Sequence, residues 1–451
     1  MPLGLRAQEI SLWLTTPDRS SLLKEQTPAL KFGSEAASGT VIDVDDKKKF
    51  QTMDGFGFAL TGGSAQLISK MNAGARAALL KELFTTDGDG IGVSYLRVSV
   101  GASDMNDHVY SYDDLPKGET DVKMEKFSIA PDKADVIPVL KEILAINPKI
   151  KILASPWSAP LWMKTSGVAR GGVLKPEYYD AYALYWVKYI EAMKAARITV
   201  DALTVQNEPL NEKNTPSMLM LESEQGDFIA NHLGPALKKA GLKTKVILYD
   251  HNLDHPMYPL AILRDKKANK YIDGTGFHLY GGEVAAFDQV HDAFPKKNLY
   301  FTEQSINDRR NATEINISRP VARVVIGATR HWSKNVLLWN LAADPQAGPH
   351  TNEGGCPVCY GALTIDGDKV TKLVAYYTIG QVSKFVPDGS VRIDSGPSPE
   401  SLPNVAFQTP QGKTVLLVAN TGSAAADFSV RYHGKTLKTS LSAGAVGTYV
   451  W

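Results

Sequence analysis

Between residues 52 and 339 the chain repeats one alternation. A short apolar run is followed by a longer stretch whose apolar positions recur three and four residues apart. Eight such runs stand out, at residues 52–58, 93–100, 151–155, 202–206, 245–249, 274–279, 299–302 and 336–339. Most are continuously apolar rather than alternating, as strands buried on both faces of a parallel sheet should be. Helical patterns fall between them. Asn72 is placed to cap a helix that runs to Phe84. Ser223 is placed to cap another that ends near Gly241, where glycine relieves the left-handed position after a helix. Residues 178–197 carry Tyr182, Tyr185, Trp186, Tyr189, Ile190 and Met193 at helical spacing, a stripe that reads as packing, and 321–332 reads similarly. Eight strands alternating with helices predict an α/β fold of the (β/α)8 (TIM) barrel type. The competing open, doubly wound sheet needs a nucleotide-type glycine loop, and Gly55-Phe-Gly57 lacks the further glycine.

The ends of the chain follow another pattern. After a predicted helix near residues 373–385, short strands with turn residues between them read at 405–408, 414–418, 427–432 and 446–451. Residues 9–14 and 40–44 look the same at the front. The simplest arrangement is a side β-sandwich formed from both termini and packed beside the barrel. The expected organisation is residues 1–48 as N-terminal sandwich strands, 49–386 as the barrel and 387–451 as the C-terminal sandwich strands. A length of 451 residues suits one large barrel with an accessory domain, and there are no internal repeats.

Composition narrows the partners. The chain is 43% hydrophobic and 22% charged with a net charge of +1, which gives no electrostatic case for nucleic acid or an anionic membrane. A neutral substrate is expected. No apolar run reaches the ~18 residues of a membrane-spanning helix, so no membrane span is expected. The first eight residues, Met1 to Gln8, lack a complete signal peptide, and export stays open. The cysteines, Cys356 and Cys359, are two, which excludes a disulfide-built framework. They read either as one short loop bridge or as two free thiols, and without a second pair they do not make a zinc ribbon. His251 and His255 stand four apart, but Pro256 works against a helix there and zinc is not expected. Asp87-Gly-Asp-Gly90 reads as a turn, not a calcium loop. Asn311-Ala-Thr313 and Asn316-Ile-Ser318 are glycan acceptor patterns, meaningful in a eukaryotic secretory route.

The chemistry lies where the apolar runs end. Leu203-Thr-Val-Gln-Asn-Glu-Pro209 closes on Glu208, and Leu299-Tyr-Phe-Thr-Glu-Gln-Ser305 reaches Glu303. A buried, unpaired carboxylate costs several kcal/mol, so a strand with buried flanks does not end on one without reason. In a (β/α)8 barrel the active site lies at the C-terminal ends of the strands. Those ends here carry Arg97 and Asp104, Trp157 and Trp162, Asn207 and Glu208, His278 and Tyr280, Glu303, and Trp339 with Asn340. That mix suits a sugar, with aromatic faces for its CH surfaces and polar groups for its hydroxyls. Two carboxylates can divide the work of glycosidic cleavage, one protonating the leaving oxygen and the other attacking the anomeric carbon. Arg97 reads as the partner that keeps a carboxylate ionised. Trp157 and Trp162 stay open between core packing and sugar contact.

The chain resembles glycoside hydrolase family 30, the family of glucosylceramidases and microbial β-1,6-glucanases. The resemblance rests on Asp54-Gly-Phe-Gly57, Leu96-Arg-Val-Ser-Val-Gly-Ala-Ser-Asp104, Ala154-Ser-Pro-Trp-Ser-Ala-Pro-Leu-Trp-Met-Lys-Thr165, Gln206-Asn-Glu-Pro209, Phe277-His-Leu-Tyr280, Phe301-Thr-Glu303 and Leu338-Trp-Asn-Leu341, in family order. It implies the same barrel and side sandwich, and retention of anomeric configuration. It also implies Glu208 as acid/base, Glu303 as nucleophile, and Asn207 as the contact to the sugar 2-hydroxyl. Asp104, Trp157 and Trp339 then match glycone-pocket residues, and His278 and Tyr280 match neighbours of the nucleophile. Two departures stand out. Thr302 and Gln304 flank Glu303 where the family often has a small residue or Ser-Glu. Residues 344–360 differ from the animal ceramidases and look more like the microbial glucanase branch.

The expected activity is that of a retaining endo-β-1,6-glucanase, a monomer needing no cofactor and no metal, acting on a polysaccharide or oligosaccharide. An extracellular, cell-surface or periplasmic place is expected. The two carboxyl groups should then stand about 5 to 5.5 Å apart. Glu208 should hold the higher pKa in the free protein. The alternatives are an exo-acting β-glucosidase or glucosylceramidase, a β-xylanase on the same barrel, and a non-catalytic carbohydrate-binding protein. The retained Glu pair weighs against the last, and the lack of Arg in 344–360 against a xylanase that reads a uronic acid.

Overall fold

The structure is a computed structural model that describes residues 9–306 and 314–451. The acceptor pattern at Asn311 and the first eight residues lie outside them, while Asn316 is exposed. Eight parallel strands close into a barrel. In chain order they are β1 (Gly55–Leu60), β2 (Tyr95–Ser99), β3 (Lys151–Ser155), β4 (Ala202–Thr204), β5 (Lys245–Asn252), β6 (Ile272–His278), β7 (Asn298–Glu303) and β8 (Ser333–Asn340). Their burial is nearly continuous, because helices cover the outside and side chains fill the inside. Tyr95, Leu153, Ala202, Ile247, Tyr300 and Leu337 form a closed apolar layer within the barrel, so the lumen is packed rather than open. Close packing fixes Gly57 in β1, since a Cβ there would stand 1.9 Å from the Tyr95 carbonyl oxygen.

The strand and helix limits differ from the sequence reading where tertiary pairing takes over. The first apolar run begins at Gly55 rather than residue 52, because Thr40–Thr52 is one long sandwich strand paired as far as Thr52 with Val391. Asn72 caps the helix Ala73–Phe84 as predicted, its side chain accepting from the Ala75 amide. Ser223 caps nothing. The cap position is two residues earlier, at Leu221, the helix starts at Glu222, and the Glu224 carboxylate accepts the Leu221 amide at 2.7 Å. Gly241 takes the left-handed conformation expected of it, at φ 67°. The helix Tyr179–Ala195 buries the predicted stripe of Tyr182, Tyr185, Trp186, Tyr189, Ile190 and Met193. A small sheet of Ala342–Ala343, Leu363–Asp366 and Lys369–Lys372 follows β8, with strands too short for a periodic signal.

The side sandwich is a ten-stranded sheet drawn from both termini. Glu9–Thr15 pairs antiparallel with Val446–Val450, and Thr40–Thr52 runs parallel to Ala426–Tyr432 and antiparallel to Val391–Gly396. The sheet curls around its own core of Ile10, Ile42, Leu416, Phe428 and Tyr449. The helix Val374–Ser383 joins the two parts and is buried on all sides. Its Gln381 amide donates to Thr15 Oγ1 at 2.7 Å, and its Gln381 carbonyl accepts from Thr448 Oγ1 at 2.7 Å. Cys356 and Cys359 are bridged, which decides between the two readings of that pair. Among the described residues no helix is long and apolar enough to cross a membrane.

Candidate active site

The C-terminal ends of the strands converge on one buried ion network. Arg97, the third residue of β2, is 1% exposed and stands at its centre. Its Nη1 donates to Glu303 Oε2 at the end of β7. Its Nη2 donates to Asn207 Oδ1 at 2.6 Å and to Asp250 Oδ2 at 2.8 Å, and its Nε to Ser155 Oγ at 3.0 Å. The guanidinium lies 4.9 Å from the centre of the Trp157 ring, and Trp157 and Trp339 pack 5.1 Å apart. A buried guanidinium needs this many acceptors, because water is excluded and each unpaired donor is costly.

His278, the last residue of β6, is the second hub. Its Nε2 lies 3.0 Å from Asp250 Oδ1 and its Nδ1 3.1 Å from Glu208 Oε1, with Glu303 Oε1 at 3.8 Å. Asp250 was not anticipated, yet it joins the two hubs. It sits in β5 as a bulge. Tyr249 and Asp250 have φ of 73° and 67°, and the pairing with β6 skips Asp250 between Gly276 and Phe277. The extra residue swings the carboxylate into the barrel. Only His251 with His255 is considered there from sequence, as a zinc pair that is not expected, and Asp250, which directly follows the apolar run 245–249, is passed over. Thr204 and Ser155 were missed too, being ordinary strand hydroxyls until the Thr204 Oγ1 is seen 2.6 Å from Asp250 Oδ2.

Glu208 lies four residues beyond the last residue of β4 with φ 45°, a left-handed conformation. The residue before a proline is pushed toward extended backbone, so this geometry costs on the order of 1–3 kcal/mol and is sustained by its surroundings. The Glu208 amide donates to the Asp250 carbonyl at 2.9 Å, and the Asn207 amide to the Pro156 carbonyl at 2.8 Å. Asn211 Nδ2 donates to Glu208 Oε2 at 2.6 Å. One oxygen each of Glu208 and Glu303, with a ring nitrogen of His278, all fall within 4.8 Å of one another. Three such atoms could in principle hold a cation. Here both His278 nitrogens face carboxylates and Arg97 already supplies the positive charge at Glu303, so the set reads as an ion network.

Asp104, Glu208, Tyr280, Glu303 and Trp339 line a cavity of about 610 Å³, as does His251. Asn207, His278, Trp157 and Arg97 are buried around the same carboxylates, and His278 is fully buried. Trp162 is outside the cavity, its Nε1 donating to the Asp113 carboxylate at 3.1 Å. Tyr280 donates its hydroxyl to Glu303 Oε1 at 3.0 Å and accepts the Ser305 amide at 3.0 Å. Asp104 Oδ1 is buried and has no hydrogen-bond partner. A larger cleft, about 760 Å³, opens beside Lys245 and Ile272, where β5 and β6 begin, and holds no carboxylate pair.

Protonation in the free protein departs from expectation. Burial and then the Glu303 and Asp250 charges act on His278, and the carboxylates prevail, lifting it from 6.5 to about 9. Burial would raise Glu208, but the His278 hydrogen bond and charge outweigh it and hold Glu208 near 2. Glu303 is raised, chiefly by burial, against His278 and Arg97. The higher pKa therefore belongs to Glu303 rather than Glu208. The proton expected on Glu208 rests instead on His278, one hydrogen bond away. Asp104 is raised well above the usual range by burial and by the Glu303 and Glu208 charges. His251 falls to about 4, chiefly through burial, and is neutral near pH 7.

A barrel of this kind with paired strand-end carboxylates beside an aromatic-floored cavity defines a glycoside hydrolase. Residues 53–386 match the glycosyl hydrolase family 30 TIM-barrel domain and residues 389–449 its beta sandwich domain. The chain belongs to glycosyl hydrolase family 30. It is 32% identical to an endo-1,6-beta-D-glucanase of Aspergillus fumigatus over 413 residues, covering 86% of this chain and 82% of that one. It is 28% identical to the lysosomal acid glucosylceramidase of Mus musculus over 447 residues, 93% of this chain and 84% of that one. A solved endo-beta1,6-glucanase superposes with a TM-score of 0.89 at 34% identity, covering 98% of this chain and 99% of that one.

Proposed function

We propose that the protein is a retaining endo-β-1,6-glucanase, with Glu303 as nucleophile and Glu208 as acid/base. The observation that carries the reading is the approach of the two carboxylates, an oxygen from each within 4.8 Å. Retaining pairs stand about 5–5.5 Å apart, whereas inverting pairs need about 6.5–9.5 Å to seat a water. The linkage rests on likeness to enzymes named for the β-1,6 bond at 32% and 34% identity.

In this mechanism Glu303, positioned by Arg97 and Tyr280, attacks the anomeric carbon. Glu208 gives a proton to the leaving oxygen and then takes one from the incoming water. His278 passes its Nδ1 proton to Glu208 as the sugar displaces water, because a dry site favours the neutral imidazole and carboxyl over the ion pair. Asn207 Oδ1 is held by Arg97, which leaves its NH₂ to donate to the sugar 2-hydroxyl. Asp104, with its unpartnered oxygen, takes a further hydroxyl, and Trp339 faces the ring. The chemistry calls for no cofactor and no metal, and a monomer suffices. A polymeric substrate and a cysteine bridge both suit a place outside the cytoplasm, extracellular, at the cell surface or periplasmic.

Incubation with β-1,3-, β-1,4- and β-1,6-glucans and glucosylceramide tests the reading. Short β-1,6-linked oligosaccharides of mixed length are expected. Glucose alone would contradict endo action, and failure on every β-glucan would contradict the substrate.

A further inference from the structure

The mechanism above uses the floor of the cavity and leaves one wall without a task. That wall is made of Gly355, Cys356, Pro357 and Cys359, which line the cavity together with Leu210, Asn211, Lys213 and Asn214 from the loop after Glu208. The segment is anchored twice. Cys359 is buried against Trp339, Trp157 and Met105, and its carbonyl accepts Asn340 Nδ2 at 3.1 Å. Its Sγ lies 3.6 Å from Ser305 Oγ, which in turn stands 3.3 Å from the Tyr280 hydroxyl oxygen. At the other end the Thr215 amide donates to the Gly354 carbonyl at 3.1 Å, and Thr351 Oγ1 donates to the Thr215 carbonyl at 2.7 Å. The wall therefore ties the floor of the cavity to the loop that carries Glu208. Between the anchors Cys356 is half-buried, and Pro357 and Val358 are exposed.

A bridge between residues three apart closes one of the smallest possible loops. Such a bridge restrains the unfolded chain least, so global stabilisation is a poor account of it. Its effect is local. It fixes the path of Pro357 along the cavity, so that Cys356, Pro357 and Cys359 give the cavity an apolar edge and Asn211, Lys213 and Asn214 a polar one. An apolar edge and a polar edge are what a sugar ring needs, one for its CH face and one for its hydroxyls. The side is set by Glu208, whose own loop forms the other edge. A proton donor stands next to the leaving oxygen, so this slot receives the leaving sugar. A sugar joined through its primary carbon has one more rotatable bond than other linkages. It gains the most from a rigid wall that removes that freedom.

We propose that the Cys356–Cys359 bridge is one wall of the site for the leaving glucose unit and so a determinant of linkage selection. The inference rests on the reading of Glu208 as the proton donor. Two perturbations and two substrates test it. The perturbations are the double variant Cys356→Ser with Cys359→Ser, and the unaltered enzyme treated with a water-soluble trialkylphosphine. The phosphine supplies two electrons to the S–S bond, takes oxygen from water as the phosphine oxide, and leaves two thiols. The substrates are a β-1,6-linked glucotetraose, which has a leaving sugar, and the β-fluoride of a β-1,6-linked diglucoside, which has none.

Both perturbations are expected to raise KM for the tetraose roughly tenfold, the scale of one apolar contact in a pocket. Cleavage of the fluoride should keep its kcat/KM within about twofold, and reoxidation should restore KM for the tetraose. Unchanged tetraose kinetics in the reduced enzyme would overturn the proposal. So would a parallel fall on both substrates, which would make the bridge a brace for the whole site. The reduced enzyme carries the test if the double variant does not fold. An unaltered enzyme that cannot cleave the fluoride would instead remove the reading of the Glu pair beneath the proposal.

Discussion

His278 is the side chain on which the proposed acid chemistry turns. It shares a proton with Glu208 across 3.1 Å and is held charged by Asp250 and Glu303, with Arg97, Tyr280 and His251 completing its charged and titratable surroundings. The rate should rise with pH as Glu303 ionises and fall as the shared proton is lost near the raised imidazole value, about 9. His278→Asn removes that reservoir and a cation that favours ionised Glu303, so the alkaline limb of kcat/KM should move to lower pH and the acid limb to higher pH. An unmoved alkaline limb would place the proton elsewhere. Glu208→Ala should slow turnover of a poor leaving group roughly 10²–10⁴-fold, with azide restoring rate and giving a glycosyl azide. Asp250→Ala takes one carboxylate from each of two buried cations and should cost roughly 3–5 kcal/mol in denaturant unfolding. Most of this was legible in the chain, since Glu208, Glu303 and Tyr280 stand at or just past the ends of apolar runs and Arg97 and His278 are polar residues set within them. Asp250 also follows a run, but nothing in the sequence separates it from a surface carboxylate, because the bulge that turns it inward is set by the pairing with β6.

At the level of elements, the strand ends hold the chemistry because the pleat stops there and the backbone can leave its regular path. Glu208 at φ 45° and the paired positive φ of Tyr249 and Asp250 are two such departures. They explain why apolar runs located the barrel strands but not their last residues. Run length reports burial, whereas the final turn of each strand is set by partners on neighbouring strands. The same override moved the start of β1 to Gly55 and displaced the Ser223 cap. Gly57 gives the sharpest element-level test. Gly57→Ala drives a methyl into the Tyr95 carbonyl and should destabilise by about 1–3 kcal/mol or more, read as a lower denaturant midpoint. An unchanged midpoint would mean that β1 and β2 separate readily.

The whole molecule reads as two cores joined by the helix Val374–Ser383, whose faces meet β1 and the strand Val446–Val450. The barrel and sandwich should therefore unfold in one calorimetric transition, and two resolved transitions would contradict that coupling. Both termini feed the sandwich, which the short strands of residues 9–14 and 446–451 foretold, although their pairing could not be read because register depends on contacts across the chain. The buried network also sets the pH range of stability. His278 is raised above its unfolded value of 6.5, so its contribution is whole below that and fades as pH rises through about 9. Glu208 is depressed to about 2, so its contribution is present above the ordinary carboxylate value of 4.5 and lost as pH falls toward 2. All of this serves one covalent event in the proposed mechanism. The most direct measurement uses a 2-deoxy-2-fluoro β-glucosyl fluoride carrying a β-1,6-linked glucose. The enzyme is incubated with it, digested and mapped by mass spectrometry. The account predicts one fluoroglycosyl adduct, on Glu303. An adduct on Glu208 or any other residue, or no adduct from an enzyme that releases product with inverted configuration, would contradict it.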